Sequence, residues 1–205
     1  MGVIEGFQYF PQYLRPIEQS ALLSAIADIL VKAPAYVPEM PRTGRPMSVT
    51  MSNCGPLGWV TDKAGGYRYQ NAHPVTGAPW PAMPATLLTL WNDLANFPAA
   101  PEACLINIYR GKAKMGQHRD ADEDDFSAPV LSVSLGDDAV FSIGGVTRKD
   151  ARQRFTLHSG DVMLLSGPSR LAYHGIDRVL PGTSLLIPEG GRINLTLRRV
   201  SRPGA

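Results

Sequence analysis

The sequence predicts a mainly β fold: a double-sheet jelly roll braced by two helices, with a mixed segment over its mouth. Three observations predict it. From residue 103 onward, apolar and polar residues alternate in short runs, the period of strands with one buried face. Glycine and proline, 20 and 18 in number, punctuate the chain as turn formers do. Helical periodicity is confined to two stretches in the first half of the chain. At 205 residues, 44% hydrophobic and 19% charged, the chain is long and apolar enough to bury one core.

The elements follow in order. Over residues 16 to 32, Ile17, Leu22, Ile26, Ile29 and Leu30 recur near helical spacing, with Pro16 at the start. Residues 33 to 84 are rich in Pro, Gly and aromatics and read as loops and short strands, a candidate lid. Residues 85 to 96 predict a second helix, with Leu87, Leu88, Trp91 and Leu94 on one side and Pro84 near its N-terminus. The strand-like stretches come next. Ile106 and Ile108 alternate with Asn107 and Tyr109, and Leu131, Val133 and Leu135 with Ser132 and Ser134. Phe155 and Leu157 lead into a turn before an apolar run over residues 162 to 165. Ile193, Leu195 and Leu197 alternate with Arg192, Asn194, Thr196 and Arg198. We expect residues 1–84 to form the N-terminal helix and lid and 85–205 the jelly-roll core, within one structural unit.

A net charge of +2 does not single out a polyanionic partner, but its distribution is uneven. Asp120, Asp122, Glu123, Asp124 and Asp125 crowd one short run, which as a bland reading is a solvated loop. Arg192, Arg198, Arg199 and Arg202 crowd another. Cys54 and Cys104 lack metal-type spacing and read as buried thiols of a reducing compartment. The first residues show no basic and apolar leader, and no apolar run reaches about 18 residues, so a cytoplasmic chain without a membrane span is expected. Nothing calls for an obligate dimer, and a monomer is expected.

The segment around His118 carries the chemistry. In an extended backbone His118 and Asp120 point to the same side, so both can bind one ion. A third ligand must come from His73, His158 or His174. His158 precedes a tight turn and suits packing or capping; His73, before Pro74, suits the surface. His174 is the best candidate, because Gly175 permits close backbone approach. Two imidazoles and one carboxylate cover one face of a metal and leave the other open, the ligand set of non-haem Fe(II) oxygenases. On the strand ending at Arg198, the polar face either lies harmlessly on an exposed edge or lies inside a barrel. Inside, its guanidiniums need anions, and a dicarboxylate would satisfy two arginines and an amide. Asn107 and Tyr109, on one face of another strand, could add hydrogen bonds.

Seven ordered blocks over roughly residues 45 to 200 resemble the AlkB family of Fe(II)- and 2-oxoglutarate-dependent dioxygenases. They include Asn53-Cys54-Gly55-Pro56-Leu57-Gly58-Trp59, Pro79-Trp80-Pro81, His118-Arg119-Asp120-Ala121-Asp122-Glu123, Ser169-Arg170-Leu171-Ala172-Tyr173-His174-Gly175 and the arginine strand itself. The resemblance implies that His118, Asp120 and His174 hold Fe(II). It implies that Arg192 and Arg198 pair with the carboxylates of 2-oxoglutarate, with Asn107, Tyr109 and Asn194 as hydrogen-bond partners and O2 as co-substrate. It makes the mixed segment a nucleotide-recognition lid, in which Trp59 stacks on a damaged base and Tyr67 and Tyr69 touch the nucleotide. Asp122 then sits near the base edge, and Arg119, Lys112, Lys114 and Arg148 are candidates for phosphate contacts. The implied reaction is oxidative demethylation of alkylated DNA, single-stranded or with a flipped base, with RNA as a second candidate substrate. The implied products are formaldehyde, succinate and CO2. Leu165 departs from the aromatic that close relatives often carry, and Met115 and Gln117 depart from the usual apolar pair before the first ligand. Two other readings share the fold: a 2-oxoglutarate oxygenase acting on a protein or small molecule, and a non-catalytic jelly-roll binding module.

Overall fold

A computed structural model describes residues 4–202 and 204. The chain begins with a strand the alternation did not announce, β1 (Phe7–Phe10). Helix α1 (Pro16–Lys32) follows, as the spacing predicts. Pro16 sits where a backbone N–H would have no partner anyway, and the Glu18 carboxylate accepts a bond from the Arg15 backbone N–H at 2.8 Å. Leu22, Ile26 and Ile29 form its buried stripe, while Ile17 is 71% exposed, so the apolar face starts later than the spacing suggested. The mixed segment holds three short strands, β2 (Thr50–Cys54), β3 (Gly58–Asp62) and β4 (Gly66–Gln70). Helix α2 (Ala85–Leu94) stops short of residue 96, where Asn96 takes a left-handed φ of 45° that a helix cannot continue.

Eight strands then divide between two sheets, four in each. They are β5 (Ala103–Tyr109), β6 (Met115–His118), β7 (Val130–Gly136), β8 (Asp138–Ile143), β9 (Gln153–Leu157), β10 (Val162–Leu165), β11 (His174–Leu180) and β12 (Arg192–Arg198). One sheet has the order β1-β10-β7-β12-β5-β2, the facing sheet β6-β11-β8-β9, and β3 pairs only with β4. Every named pairing is antiparallel. This is the jelly roll the alternation predicts.

Strand β12 settles which side its polar residues take. It lies mid-sheet between β7 and β5, and all seven of its residues are buried. Ile193, Leu195 and Leu197 join the core formed with Leu22, Ile26, Leu87 and Trp91 of the two helices. By strand alternation Arg192, Asn194, Thr196 and Arg198 therefore face the other way, into the space between the sheets. The harmless edge reading is excluded. His73 also departs from expectation: it is 2% exposed, its Nε2 lies 2.7 Å from the Pro34 carbonyl, and its ring packs on Tyr36 and Trp80. His158 meets the Asp138 carboxylate at 3.0 Å beside the turn, away from the cavity-lining residues.

Candidate metal centre

His118 ends β6, His174 begins β11, and the two are cross-strand partners with ring centroids 4.5 Å apart. Gly175 makes this approach feasible. A Cβ there would lie 2.6 Å from the Met115 carbonyl oxygen and 3.0 Å from that of Gly116. Each ring is turned by the same device: His118 Nδ1 lies 2.9 Å from the Gly116 carbonyl and His174 Nδ1 3.0 Å from that of Ala172. With Nδ1 donating to a carbonyl, Nε2 keeps its lone pair. Asp120 lies two residues past the strand end, its Oδ1 3.7 Å from His118 Nε2 and its Oδ2 3.8 Å from His174 Nε2. These three make the one cluster of metal-capable side chains among the described residues, with ligand atoms within 4.8 Å of one another.

The residues fit a divalent cation. Asp120 is 5% exposed and its Oδ2 has no hydrogen-bond partner, a costly state for a buried carboxylate. Burial works to raise the Asp120 pKa, but the Arg198 guanidinium outweighs it and holds the carboxyl well below its usual range. His174 is pushed down to about 4, chiefly by burial and then by His118, so it is neutral at pH 7, the form that ligates.

An anion cradle lies beside the ligands. Arg192 is 1% exposed, and its Nη2 donates to Ser134 Oγ at 3.0 Å. Its Nε and Nη1 have no partner, and its guanidinium stacks 5.3 Å over the Tyr109 ring. Burial pulls its pKa down, yet a guanidinium keeps its proton, so the site favours an anion. Asn107 Oδ1 is buried without a hydrogen-bond partner, while the Asn194 amide donates to Ser132 Oγ at 2.7 Å. Arg198 is more committed. Its Nη2 donates to Asp120 Oδ1 at 2.7 Å and its Nη1 to Tyr69 Oη at 3.0 Å, leaving only Nε unpartnered.

The metal ligands, the cradle and part of the lid line one cavity of about 450 Å³. Trp59 stacks on Tyr67 at 5.4 Å and 23° between planes, and its indole N–H donates to Asp122 Oδ2 at 2.7 Å. Arg119 and Arg148 also line the cavity and both lie against the Tyr173 ring, at 5.8 and 5.0 Å. Lys112 and Lys114 are exposed and do not line it. Leu165, Met115 and Gln117 do. Tyr69, expected to touch the nucleotide, is not a lining residue: its hydroxyl is bound between Glu123 and Arg198.

The 2OG-Fe(II) oxygenase superfamily matches residues 6–198. Over 199 residues the chain is 53% identical to the alpha-ketoglutarate-dependent dioxygenase AlkB homolog of Caulobacter vibrioides, covering 97% of this chain and 90% of that one. The chain belongs to the AlkB family of 2OG-Fe(II) oxygenases. Escherichia coli AlkB is 45% identical over 163 residues, 78% of this chain and 74% of its own. The solved structure of OsALKBH1 superposes with a TM-score of 0.81 at 29% identity, covering 97% of this chain and all of that one. As a member of this family the protein is a dioxygenase that uses Fe(II), 2-oxoglutarate and O2.

Sequence reasoning missed two residues of this AlkB-family centre. Glu123, placed in a solvated acidic loop, is 5% exposed and paired with Arg170 at 3.0 Å. Arg170 is 2% exposed and also donates to the Asp120 carbonyl at 2.7 Å. Both lie inside quoted family blocks, and that is the one signal that could have marked them.

Proposed function

We propose that this AlkB-family oxygenase removes N-alkyl groups from DNA bases of the 1-methyladenine and 3-methylcytosine type, releasing formaldehyde and restoring the base. The observation that carries this reading is the stacked Trp59–Tyr67 pair with Asp122 at the mouth of the cavity that holds His118, Asp120 and His174. Fe(II) held there would supply the oxidising chemistry: O2 and 2-oxoglutarate would be consumed to succinate and CO2, one oxygen atom would go to the N-methyl group, and the resulting hydroxymethyl amine would release formaldehyde and the restored base.

The protein's own residues place the reactants. His118, Asp120 and His174 would hold the metal, and the unpartnered Nε and Nη1 of Arg192 would take a carboxylate of 2-oxoglutarate. Arg198 Nε, Asn107, Tyr109 and Asn194 would complete that site. A base methylated on its pairing edge is cationic, and an indole such as Trp59 attracts a cation over its face. Asp122 uses Oδ2 for the indole, and its other oxygen would accept from the exocyclic amine. A methyl on the pairing edge is hidden inside a duplex, so the base enters single-stranded or flipped. Arg148 and Arg119 at the rim would meet phosphates, and RNA offers the same adenine and cytosine bases and the same phosphates. No helix among the described residues is long and apolar enough to cross a membrane, and we propose a cytoplasmic monomer.

The test uses oligonucleotides with and without 1-methyladenine, and wild type beside Trp59→Ala. Formaldehyde should come from the methylated strand only, with KM raised about 5- to 150-fold in Trp59→Ala, since base–aromatic stacking contributes about 1–3 kcal/mol. Full activity of Trp59→Ala would remove Trp59 from the base site, and succinate formed with no formaldehyde from either strand would point instead to a protein or small-molecule substrate.

A further inference from the structure

Tyr69 faces Trp59 across the β3–β4 hairpin, as its register partner. Both side chains end on the segment that carries the metal ligand. Trp59 donates to Asp122, and Tyr69 donates to the next carboxylate, Glu123. The Tyr69 hydroxyl also accepts from Arg198 Nη1 at 3.0 Å. Burial pushes its pKa up, so it keeps the proton it donates.

Arg198 and Arg170 hold Asp120 from two sides. Arg198 Nη2 binds its carboxylate at 2.7 Å, and Arg170 Nη1 binds its backbone carbonyl at 2.7 Å. The two guanidiniums meet at Glu123: Arg170 Nη2 at 3.0 Å from Oε2 and Arg198 Nη1 at 3.4 Å from Oε1. Within this buried cage the Tyr69 hydroxyl is the one contribution from the hairpin. A phenylalanine would pack equally well but leave Arg198 Nη1 with only the longer contact to Glu123. The guanidinium could then swing, and the Asp120 carboxylate would lose its fixed orientation.

We propose that Tyr69 is a positioning residue for the metal ligand Asp120, acting through Arg198 and Glu123, and that its hydroxyl fastens the lid hairpin to the metal centre. The inference rests on the metal site and not on the identity of the substrate. It makes metal binding and hairpin docking reciprocal: whatever tightens one tightens the other.

The experiment titrates apo-protein with Mn(II), following the free ion by electron paramagnetic resonance, with no nucleic acid present. Partners that orient a ligand from behind typically change metal affinity or activity by about 10–100-fold. Tyr69→Phe should therefore bind Mn(II) at least about 10-fold more weakly than wild type. Arg68→Ala, which loses a hairpin contact to Asp62 but none to the cage, should stay within about twofold. Tyr69→Phe binding Mn(II) as wild type does would overturn the proposal, and a raised KM for methylated oligonucleotide alone would make Tyr69 a base contact. Equal weakening by Arg68→Ala would also overturn it, as general loosening of the hairpin. A second measurement needs no variant: Mn(II) added to wild type should slow amide exchange across β3 and β4, and unchanged exchange would sink the tether.

Discussion

Arg192 and Arg198 share one strand and one face, yet their surroundings give them different work. Arg198 spends both terminal nitrogens on protein groups, one of them the metal ligand Asp120. Arg192 keeps Nε and Nη1 without partners, two charged donors left for an anionic carboxylate. Arg192→Met should therefore raise the KM for 2-oxoglutarate by roughly 100-fold or more, since each hydrogen bond involving a charge contributes about 1.5–3 kcal/mol. Mn(II) affinity should hardly change in that variant, because Arg192 touches no metal ligand. An unaltered KM for 2-oxoglutarate, measured by succinate formation, would remove Arg192 from the cradle. At this level the sequence showed which side chains share a face but not what they meet. Glu123 looked like its solvated neighbours Asp124 and Asp125, because nothing local separates a buried carboxylate from an exposed one. Its partner Arg170 lies 47 positions away. His73 misled for a related reason: a histidine before a proline suggests a loop, and the carbonyl of Pro34 that buries it is distant in sequence.

Strands β5, β7 and β12 were legible because each has seven residues and alternates cleanly. The strands that carry the histidines were not. β6 has four residues, too few to show a period, and the register of β11 shifts between His174 and Ile176 and again between Ile176 and Arg178. The irregular pairing of β6 with β11 nonetheless sets the spacing of the two imidazoles, and at Gly175 it leaves no room for a Cβ. Gly175→Ala should force the strands apart at an overpacking cost of about 1–3 kcal/mol. Metal affinity should fall more than stability does, because the displaced strand ends in His118. A variant that kept wild-type Mn(II) affinity would show that the close approach does not set the site. The short β3–β4 hairpin belongs to the same class: its tyrosines were visible, but only its register shows that Trp59 and Tyr69 project to successive carboxylates.

The whole molecule arranges its two sheets so that apolar residues of one face pack under α1 and α2 while the polar face encloses the cavity. That division explains why β12 alternates as it does, and why a chain of nearly balanced charge buries Arg192 and Arg198 on one strand face. It also puts three things in one space: the His118, Asp120 and His174 cluster, the unpartnered donors of Arg192 and the stacked Trp59–Tyr67 pair. The three act together in one coupled turnover. Wild type should release one formaldehyde from a 1-methyladenine oligonucleotide for each succinate formed, and His118→Ala should form neither. Succinate without formaldehyde would keep the oxygenase and contradict the base as substrate; equal turnover by His118→Ala would contradict the metal centre itself.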